Sequence, residues 1–302
     1  MLVDLVQVTA ADGVRLHGAL EVPAADAVPA AANETSPTID AWLCIHGTGS
    51  NFYAASTLAG LAPKLLAAGA AVLRANTRGH DLVATGPSAA GRSLQGAAFE
   101  RVDESPLDLG AWIELLRARG YRRIGLLGHS LGAIKAIFTL AGAQSPQVAA
   151  LVAISPPRLA YSEFVQSARA DEFRQTFDRA AALVAEGRGD ELLLVRMPLA
   201  YYVSAAGYVD RYGPDEKYNV LALLPKVRCP TFVTYGSSEM QAEVAFRGMS
   251  EAVAALPGSG AALQVAVIAG ADHIYTGCHD VLAARITRWA SSLRPDAAAG
   301  ER

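Results

Sequence analysis

The chain has 302 residues, of which 52% are hydrophobic, and its 26 Lys and Arg against 29 Asp and Glu give a formal net charge of −3. This size and composition predict a globular protein with a core of its own, and the three cysteines lack the spacing of a zinc site or a disulfide framework. Without a signal peptide, a long apolar segment or a basic run, we expect a cytoplasmic monomer or homodimer that binds neither membrane nor nucleic acid.

Alternating apolar and polar residues from Leu2 to Val22 predict a β-hairpin that turns at Ala11-Asp12-Gly13. A Pro- and Ala-rich loop follows over 23–40. Six short apolar runs then predict the buried strands of a parallel sheet, namely Ala41 to Ile45, Ala70 to Ala75, Arg123 to Leu127, Ala149 to Ile154, Thr231 to Tyr235 and Leu263 to Ile268. Helices are predicted between and after them, over Ala54 to Ala68, Leu107 to Arg119, Leu131 to Ala141, Gln241 to Ala255 and Val281 to Leu293. The pattern is typical of an α/β fold with a mostly parallel central sheet flanked by helices.

One connection is much longer than the others, because 75 positions separate Ile154 from Cys229. We expect a helical cap, inserted after the sixth strand, with helices from Ser162 to Glu186 and from Asp190 to Val209. The predicted domain boundaries are 1–157 and 227–295 for the core, 158–226 for the cap and 296–302 for a disordered tail.

The insertion is rich in tyrosine. It holds six of the ten tyrosines of the chain, which are Tyr161, Tyr201, Tyr202, Tyr208, Tyr212 and Tyr218. They form either the core of the insertion itself or an aromatic lid over a site. In the second interpretation Tyr161, Tyr201, Tyr202 and Tyr208 bind a medium-sized substrate that is partly apolar or aromatic.

Gly128-His129-Ser130-Leu131-Gly132 has the spacing G-x-S-x-G and lies between a predicted strand and a predicted helix. A nucleophilic serine must project from a strained turn, and glycines two positions on either side remove the side chains that would crowd it. The strand-turn-helix setting makes the pattern much more specific than the spacing alone. We therefore predict that Ser130 is a nucleophile.

A serine hydroxyl needs an adjacent base, and the chain offers six histidines. His273 directly follows the last predicted strand, at the sheet edge where Ser130 is expected. The other five lie in the first hairpin, after early strands, beside the nucleophile or at the start of the last helix, and are His17, His46, His80, His129 and His279. His273 is therefore the predicted base.

The base needs a carboxylate that holds its tautomer. Glu239 follows the fifth apolar run through Gly236-Ser237-Ser238, on a predicted loop at the same sheet edge. Asp272 competes for this role, but its side chain should point away from that of its neighbour His273. The segment after the preceding strand begins with Ser155 and offers no carboxylate. Glu239 is therefore the predicted acid.

A tetrahedral intermediate needs two backbone donors for its oxyanion. We expect them from the amide of Leu131, at the start of the helix after Ser130, and from the amide of Thr48, in a glycine-rich turn after the first parallel strand. A tight turn with no catalytic donor is the alternative for Thr48. We also expect His46, Gly47 and His129, which flank these positions, to contact the substrate.

Taken in chain order, His46-Gly47, Arg78-Gly79-His80, the segment Gly128 to Gly132, Glu239 and His273 resemble the α/β-hydrolase family. The resemblance extends over nearly the whole chain and implies an eight-stranded sheet, a cap and a Ser-Glu-His triad. The chain departs from the commoner pattern in having Glu in place of Asp as the acid. The segments Gly96 to Glu100 and Gly128 to Lys135 resemble an esterase-like branch of the family.

These residues predict a serine hydrolase that cleaves a carboxylic ester or lactone through an acyl-enzyme on Ser130, without a metal or other cofactor. Because the nucleophile is Ser, the pattern argues against dehalogenases and epoxide hydrolases, which use Asp. Two alternatives stay open, which are cleavage of a carbon-carbon bond or amide by the same triad, and a non-catalytic ligand-binding protein on the same fold.

Overall fold

The computed structural model of the protein describes residues 3–23, 38–143, 146–242, 244–257 and 263–293. The tail predicted over 296–302 and most of the loop predicted over 23–40 lie outside the described residues.

The structure contains strands both in a central sheet and in two short hairpins. In chain order the strands are β1 (Asp4–Thr9), β2 (Arg15–Glu21), β3 (Ala41–Ile45), β4 (Ala71–Ala75), β5 (Ala84–Ser88), β6 (Gly91–Gln95), β7 (Ile124–His129), β8 (Ala150–Ile154), β9 (Leu192–Val195), β10 (Tyr201–Ser204), β11 (Thr231–Gly236) and β12 (Leu263–Ile268). The helices are α1 (Thr57–Ala67), α2 (Ser105–Ala118), α3 (Leu131–Ala141), α4 (Tyr161–Phe164), α5 (Ala170–Ala185), α6 (Ala205–Tyr212), α7 (Val220–Leu223), α8 (Ser237–Ala242), α9 (Met249–Ala254) and α10 (His279–Ser292).

The central sheet has eight strands in the order β1-β2-β4-β3-β7-β8-β11-β12. Strands β1 and β2 form the predicted antiparallel hairpin, which turns at Gly13 with a φ of +81°, and β2 pairs antiparallel with β4. The other six strands are parallel to one another and are the six predicted from the apolar runs. The predicted fold class is therefore confirmed.

Helices cover the sheet on both faces. The side chains of successive residues in one strand point to opposite faces of the sheet. Leu43 and Ile45 of β3 belong to the same apolar cluster as Trp112 of α2 and Ile134 of α3. Trp42 and Cys44 of the same strand belong to a second cluster, which includes residues of α1 and α10. A strand buried on both faces reads as a continuous apolar run, which explains why the sequence identified these strands.

The six parallel strands place their carboxyl ends at one edge of the sheet. The segments after β3, β4, β7, β8, β11 and β12 therefore meet there, although they are far apart in the chain. In an open α/β sheet this edge is where ligands bind.

The inserted segment differs from the prediction in two respects. The helix expected from Ser162 to Glu186 is divided into α4 and α5. The expected helix from Asp190 to Val209 is instead a β-hairpin of β9 and β10, followed by the shorter helix α6. The runs Leu192–Val195 and Tyr201–Ser204 flank a Met197-Pro198 turn, and β-branched and aromatic residues favour a strand over a helix there. The insertion is therefore not purely helical.

Two further elements differ from the sequence-based expectation. The hairpin of β5 and β6 was not predicted, because its Gly-, Ser- and Ala-rich sequence has no apolar alternation and both strands are largely exposed. The helix expected from Gln241 to Ala255 is divided into α8 and α9, and Gly248, with a φ of +68°, precedes the second of them.

Candidate active site

Ser130 lies in a tight turn between β7 and α3, where its φ of +56° is in the region that favours glycine. Two tight contacts explain the glycines around it. A Cβ on Gly132 would lie 2.1 Å from the carbonyl oxygen of Ile45, and a Cβ on Gly128 would lie 2.4 Å from that of Gly132. Backbone strain of this kind is retained where the surrounding structure enforces it, and it often marks a functional site.

The three predicted catalytic side chains form one hydrogen-bonded series. The Nε2 atom of His273 lies 3.0 Å from Oγ of Ser130, and Nδ1 of His273 lies 2.8 Å from Oε2 of Glu239. Because a carboxylate only accepts hydrogen bonds, Nδ1 carries the proton of the neutral imidazole. The lone pair on Nε2 then faces the serine hydroxyl, which is the arrangement in which His273 can remove its proton.

Glu239 is buried, and it lies in the first turn of α8 rather than on the predicted loop. Its second carboxylate oxygen accepts hydrogen bonds from the amide of Gly236, at 2.7 Å, and from the hydroxyl of Ser155, at 2.5 Å. Both oxygens are therefore held, which fixes the plane of the carboxylate that faces His273.

Ser155 continues into a chain of buried hydroxyl groups. Its Oγ lies 3.0 Å from the hydroxyl of Tyr275, which lies 3.1 Å from Oγ1 of Thr234. The single proton of Ser155 is donated to Glu239, so Tyr275 must donate to Ser155, and Thr234 must in turn donate to Tyr275. All three donors are thus directed toward the acid.

We predict the effect on kcat of removing each of these three hydroxyl groups. The loss of kcat should become smaller as more hydrogen bonds separate the substituted residue from Glu239. Ser155→Ala removes a direct hydrogen bond to a carboxylate and should lower kcat about tenfold or more. Tyr275→Phe should have a smaller effect and Thr234→Val the smallest, with KM unchanged in all three because none of these groups reaches the substrate. Steady-state kinetics on one ester checks the order, and full activity of Ser155→Ala would contradict it.

Asp272, the competing acid, has a different task. Its Oδ1 accepts hydrogen bonds from the backbone amides of Ile274 at 3.1 Å and Thr276 at 2.9 Å. Hydrogen bonds from Thr276 are the main reason why the pKa of Asp272 is below its usual value. Its carboxylate therefore stabilises the turn that carries His273 and does not bond to the imidazole.

Of the two residues expected to supply oxyanion donors, Leu131 directly follows Ser130, and Thr48 directly follows Gly47. A Cβ on Gly47 would lie 3.0 Å from Cβ and 3.5 Å from Oγ of Ser130, so the turn that contains Thr48 approaches the nucleophile closely. In the part of the chain that the structure describes, the amides of Thr48 and Leu131 donate to no protein group. Both donors are therefore available to an oxyanion.

Two of the expected substrate contacts are instead buried histidines. His46 accepts a hydrogen bond from the amide of Thr77 at Nε2, and its Nδ1 lies 2.8 Å from the carbonyl oxygen of Gly47. Nε2 of His129 lies 2.8 Å from the carbonyl oxygen of His273. These contacts hold the glycine-rich turn and the His273 loop in place, so the two side chains act on the site indirectly, whereas Gly47 lines it.

Burial keeps both of these histidines neutral. Loss of hydration is the main reason why the pKa of each is lowered to about 3. Electrostatic interaction with Lys135 lowers the pKa of His46 further, and interaction with His273 does the same for His129. Between this value and the unfolded value of about 6.5, the unfolded chain binds more protons than the folded one. The contribution of the two neutral histidines to the free energy of unfolding is therefore complete above their unfolded pKa, and it decreases as the pH falls below that value.

We predict that acidification from pH 7.5 to pH 5.0 lowers the free energy of unfolding by about 4 kcal/mol through these two residues. His129→Asn removes one titrating group and should roughly halve this pH-dependent loss, whatever its effect on absolute stability. Urea unfolding at the two pH values measures both quantities. Equal stability at the two pH values, or an undiminished loss in the variant, would be the contrary result.

The four cap tyrosines expected to bind the substrate lie elsewhere. Tyr161 packs against Phe173 and Phe177, while Tyr201 and Tyr208 are buried and bond to other residues of the insertion. Tyr202 is exposed on the outer face of the β9–β10 hairpin. The structure therefore favours the alternative in which Tyr161, Tyr201 and Tyr208 belong to the core of the insertion, whereas Tyr202 lies on its surface.

The site is open to solvent at its rim. The side chain of His273 is 35% exposed. Ile274, the neighbour of His273 in the chain, is also exposed, as are Leu82 and Val83 in the segment after β4. Exposed apolar residues around a polar centre are typical of a surface that an organic ligand covers.

Ser155 and Tyr275 contribute to the site, but neither residue belongs to a motif that the sequence shows. Both have a positive φ, of 48° and 57°, in a non-glycine residue, which is a structural signal that the sequence does not show. Their hydroxyl groups meet only because the segments after β8 and β12 reach the same edge of the sheet.

The described residues contain no group of three or more His, Cys, Asp or Glu side chains arranged to hold a metal ion. Nor do they include a helix that is long and apolar enough to cross a membrane.

Comparisons with known proteins agree with this architecture. The model of a family described as "Alpha/beta hydrolase family" matches residues 42–285. A search of curated proteins finds no match.

Several solved structures are similar to the chain, all at low sequence identity. The α/β hydrolase GrgF from Penicillium sp. sh18 is 14% identical with a TM-score of 0.68, over 97% of this chain and 99% of that one. The esterase PF2001 from Pyrococcus furiosus is 19% identical with a TM-score of 0.62, over 97% and 91% of the two chains. Est1E from Butyrivibrio proteoclasticus, with ferulic acid bound, is 15% identical with a TM-score of 0.62, over 95% and 99%.

Proposed function

The chain belongs to the α/β-hydrolase family, and we propose that it is a serine hydrolase that cleaves a carboxylic ester or lactone through an acyl-enzyme on Ser130. The observation that carries the proposal is the series of hydrogen bonds from Ser130 to His273, at 3.0 Å, and from His273 to Glu239, at 2.8 Å. A strained serine with a correctly oriented base and acid is the arrangement that activates a hydroxyl group for acyl transfer.

In the first half of the reaction, Oγ of Ser130 attacks the carbonyl carbon while Nε2 of His273 takes the hydroxyl proton. Glu239 stabilises the imidazolium that forms and keeps its Nδ1 proton directed away from the serine. The amides of Leu131 and Thr48 donate to the oxyanion, and each such donor contributes about 3 kcal/mol to stabilisation of the transition state.

Collapse of the tetrahedral intermediate breaks the bond to the leaving oxygen, which receives the proton from Nε2 of His273. A water molecule then enters, His273 accepts one of its protons, and the resulting hydroxide attacks the acyl carbon. Release of the acid returns the proton to Oγ of Ser130. These reaction steps require only the triad and the two backbone amides from the protein.

Two observations support the proposed substrate class. The exposed apolar side chains of Ile274, beside His273, and of Leu82 and Val83, after β4, suit an acyl or alcohol group of moderate size. Two of the similar structures are described as an esterase and as Est1E with ferulic acid bound, which agrees with ester chemistry. The substrate is proposed to be a small molecule, and the site of action the cytoplasm.

The proposal is tested with p-nitrophenyl esters of two to twelve carbons, a set of lactones, and matched anilides and β-diketones. We expect turnover of esters or lactones, with kcat/KM reaching a maximum at an intermediate chain length as the apolar rim is filled. Turnover of anilides or β-diketones alone would favour amide or carbon-carbon cleavage, and turnover of none would contradict the hydrolase assignment.

A further inference from the structure

A second cluster of polar side chains lies beside the glycine-rich turn and has no part in the triad. Its centre is the carboxylate of Asp81, which is about one-third exposed and follows β4. Three donors converge on it, which are Nδ1 of His80 at 2.8 Å, Nδ2 of Asn51 at 2.6 Å and the hydroxyl of Tyr53 at 2.9 and 3.0 Å. Partial burial alone would raise the pKa of Asp81, but these hydrogen bonds lower it, so the group is a carboxylate at neutral pH.

The cluster belongs to the edge of the sheet where the triad lies. Strand β3 separates β4 from β7, so the segment that follows β4 is two strands away from Ser130. The amide of Asp81 donates to the carbonyl oxygen of Ser50 at 3.0 Å, and the amide of Ser50 lies 3.3 Å from the carbonyl oxygen of Gly47. Gly47 in turn adjoins Ser130. A continuous set of backbone contacts therefore connects the cluster to the nucleophile.

The backbone at Asp81 is strained. Its φ is +56°, a conformation that an L-residue adopts at a cost of about 1 kcal/mol or more. The three hydrogen bonds to its side chain offset this strain and fix the orientation of its neighbours. Tyr53 is held in this way although 63% of it is exposed to solvent.

A count of hydrogen-bonding sites shows what the cluster can bind. A carboxylate offers about four lone-pair sites, and His80, Asn51 and Tyr53 donate three protons to Asp81, with the single proton of Tyr53 shared between the two oxygens. Asp81 therefore orients its three neighbours, and any site it has left can only accept a hydrogen bond.

Two open polar atoms of the cluster, one on His80 and one on Tyr53, are acceptors. Because Nδ1 of His80 donates to Asp81, the Nε2 atom of the neutral ring carries a lone pair, and among the described residues it has no hydrogen-bond partner. The hydroxyl of Tyr53 donates its single proton to Asp81, so its oxygen can only accept a further hydrogen bond. A carboxylate ligand would be repelled by both atoms and by Asp81, whereas a hydroxyl group can donate to either.

We propose that His80 and Tyr53, held by Asp81, form a subsite that accepts a hydrogen bond from a hydroxyl group on the substrate of Ser130. The inference rests on the proposed function and narrows its substrate class to hydroxylated esters. The exposed rings and side chains beside the subsite, of Tyr53, Leu82 and Val83, contact the apolar part of the same group.

The test uses methyl 3-phenylpropanoate and its derivatives with a hydroxyl or a methoxy group at ring position 2, 3 or 4. Each methoxy ester matches a hydroxy ester in position but cannot donate a hydrogen bond. For at least one position we expect a ratio of kcat/KM, hydroxy over methoxy, of about ten or more, since a hydrogen bond of this kind contributes about 1.4 kcal/mol. The double variant His80→Ala/Tyr53→Phe should bring that ratio close to one.

The matched control is His17→Ala, a surface histidine on β2 outside the site, which should keep both the activity and the ratio of the native protein. A ratio near one at every position in the native protein, or a ratio that persists in the double variant, would overturn the subsite while esters are still hydrolysed. If the native protein hydrolyses none of the esters, the proposed function itself fails and the subsite fails with it.

Discussion

Replacement of Ser130 by alanine is expected to lower kcat for ester hydrolysis by about 10⁴-fold or more, with the fold intact. The variant removes only Oγ, the atom that lies 3.0 Å from Nε2 of His273, and it keeps the hydrogen bond from the amide of residue 130 to the carbonyl oxygen of Ile154. No other group can take its place as the acceptor of the acyl group.

The measurement compares kcat and the unfolding midpoint of the variant with those of Ser88→Ala, a serine of the exposed β5–β6 hairpin. We expect the control to retain native activity and both variants to unfold at close to the native midpoint. Activity of Ser130→Ala above about one-tenth of the native value would contradict an acyl-enzyme on this residue.

The second large effect is expected for Glu239→Gln, which should lower kcat by about 10⁴-fold. The amide of Gly236 and the hydroxyl of Ser155 both donate to one oxygen of Glu239, so the carbonyl oxygen of the new side chain should occupy that position. Its NH₂ group would then face Nδ1 of His273 and donate to it. The imidazole proton would move to Nε2, which places a donor in front of Ser130 where an acceptor is needed.

Asp272→Asn is the matched control for this substitution, since it makes the same chemical change in the residue next to His273. The amide oxygen of the new side chain can still accept from the backbone of Ile274 and Thr276, so kcat should change by no more than a few-fold. Steady-state kinetics measures both variants. A larger loss in Asp272→Asn than in Glu239→Gln would assign the acid to Asp272.

The parts of the fold that could be predicted from sequence are those with a local signal. Strands β3, β4, β7, β8 and β11 are largely buried on both faces, so each reads as an apolar run, and the partly buried edge strand β12 keeps enough apolar residues to read in the same way. The turn at Ser130 is fixed by contacts of the backbone with Gly128 and Gly132, which appear in the sequence as a short motif. The β5–β6 hairpin is largely exposed and rich in small residues, so no apolar run or short motif indicates it in the sequence.

The parts of the site that could not be predicted depend on contacts between distant segments. Ser155 and Tyr275 are 120 positions apart, and their hydroxyl groups meet only in the folded sheet. The tyrosines of the insertion show a different limit, because aromatic residues in a short subdomain serve equally well as a core or as a ligand-binding surface. Asp81 belongs to neither case, since its role depends on a strained φ and on donors from two loops.

The central claim is that Ser130 is an activated nucleophile, and covalent labelling tests it most directly. The purified protein is treated with a fluorophosphonate, digested and examined by peptide mass spectrometry, with Ser130→Ala treated in parallel. We expect a single phosphonylated residue, Ser130, and no adduct in the variant. Labelling of another residue, or no labelling at all of the native protein, would contradict it.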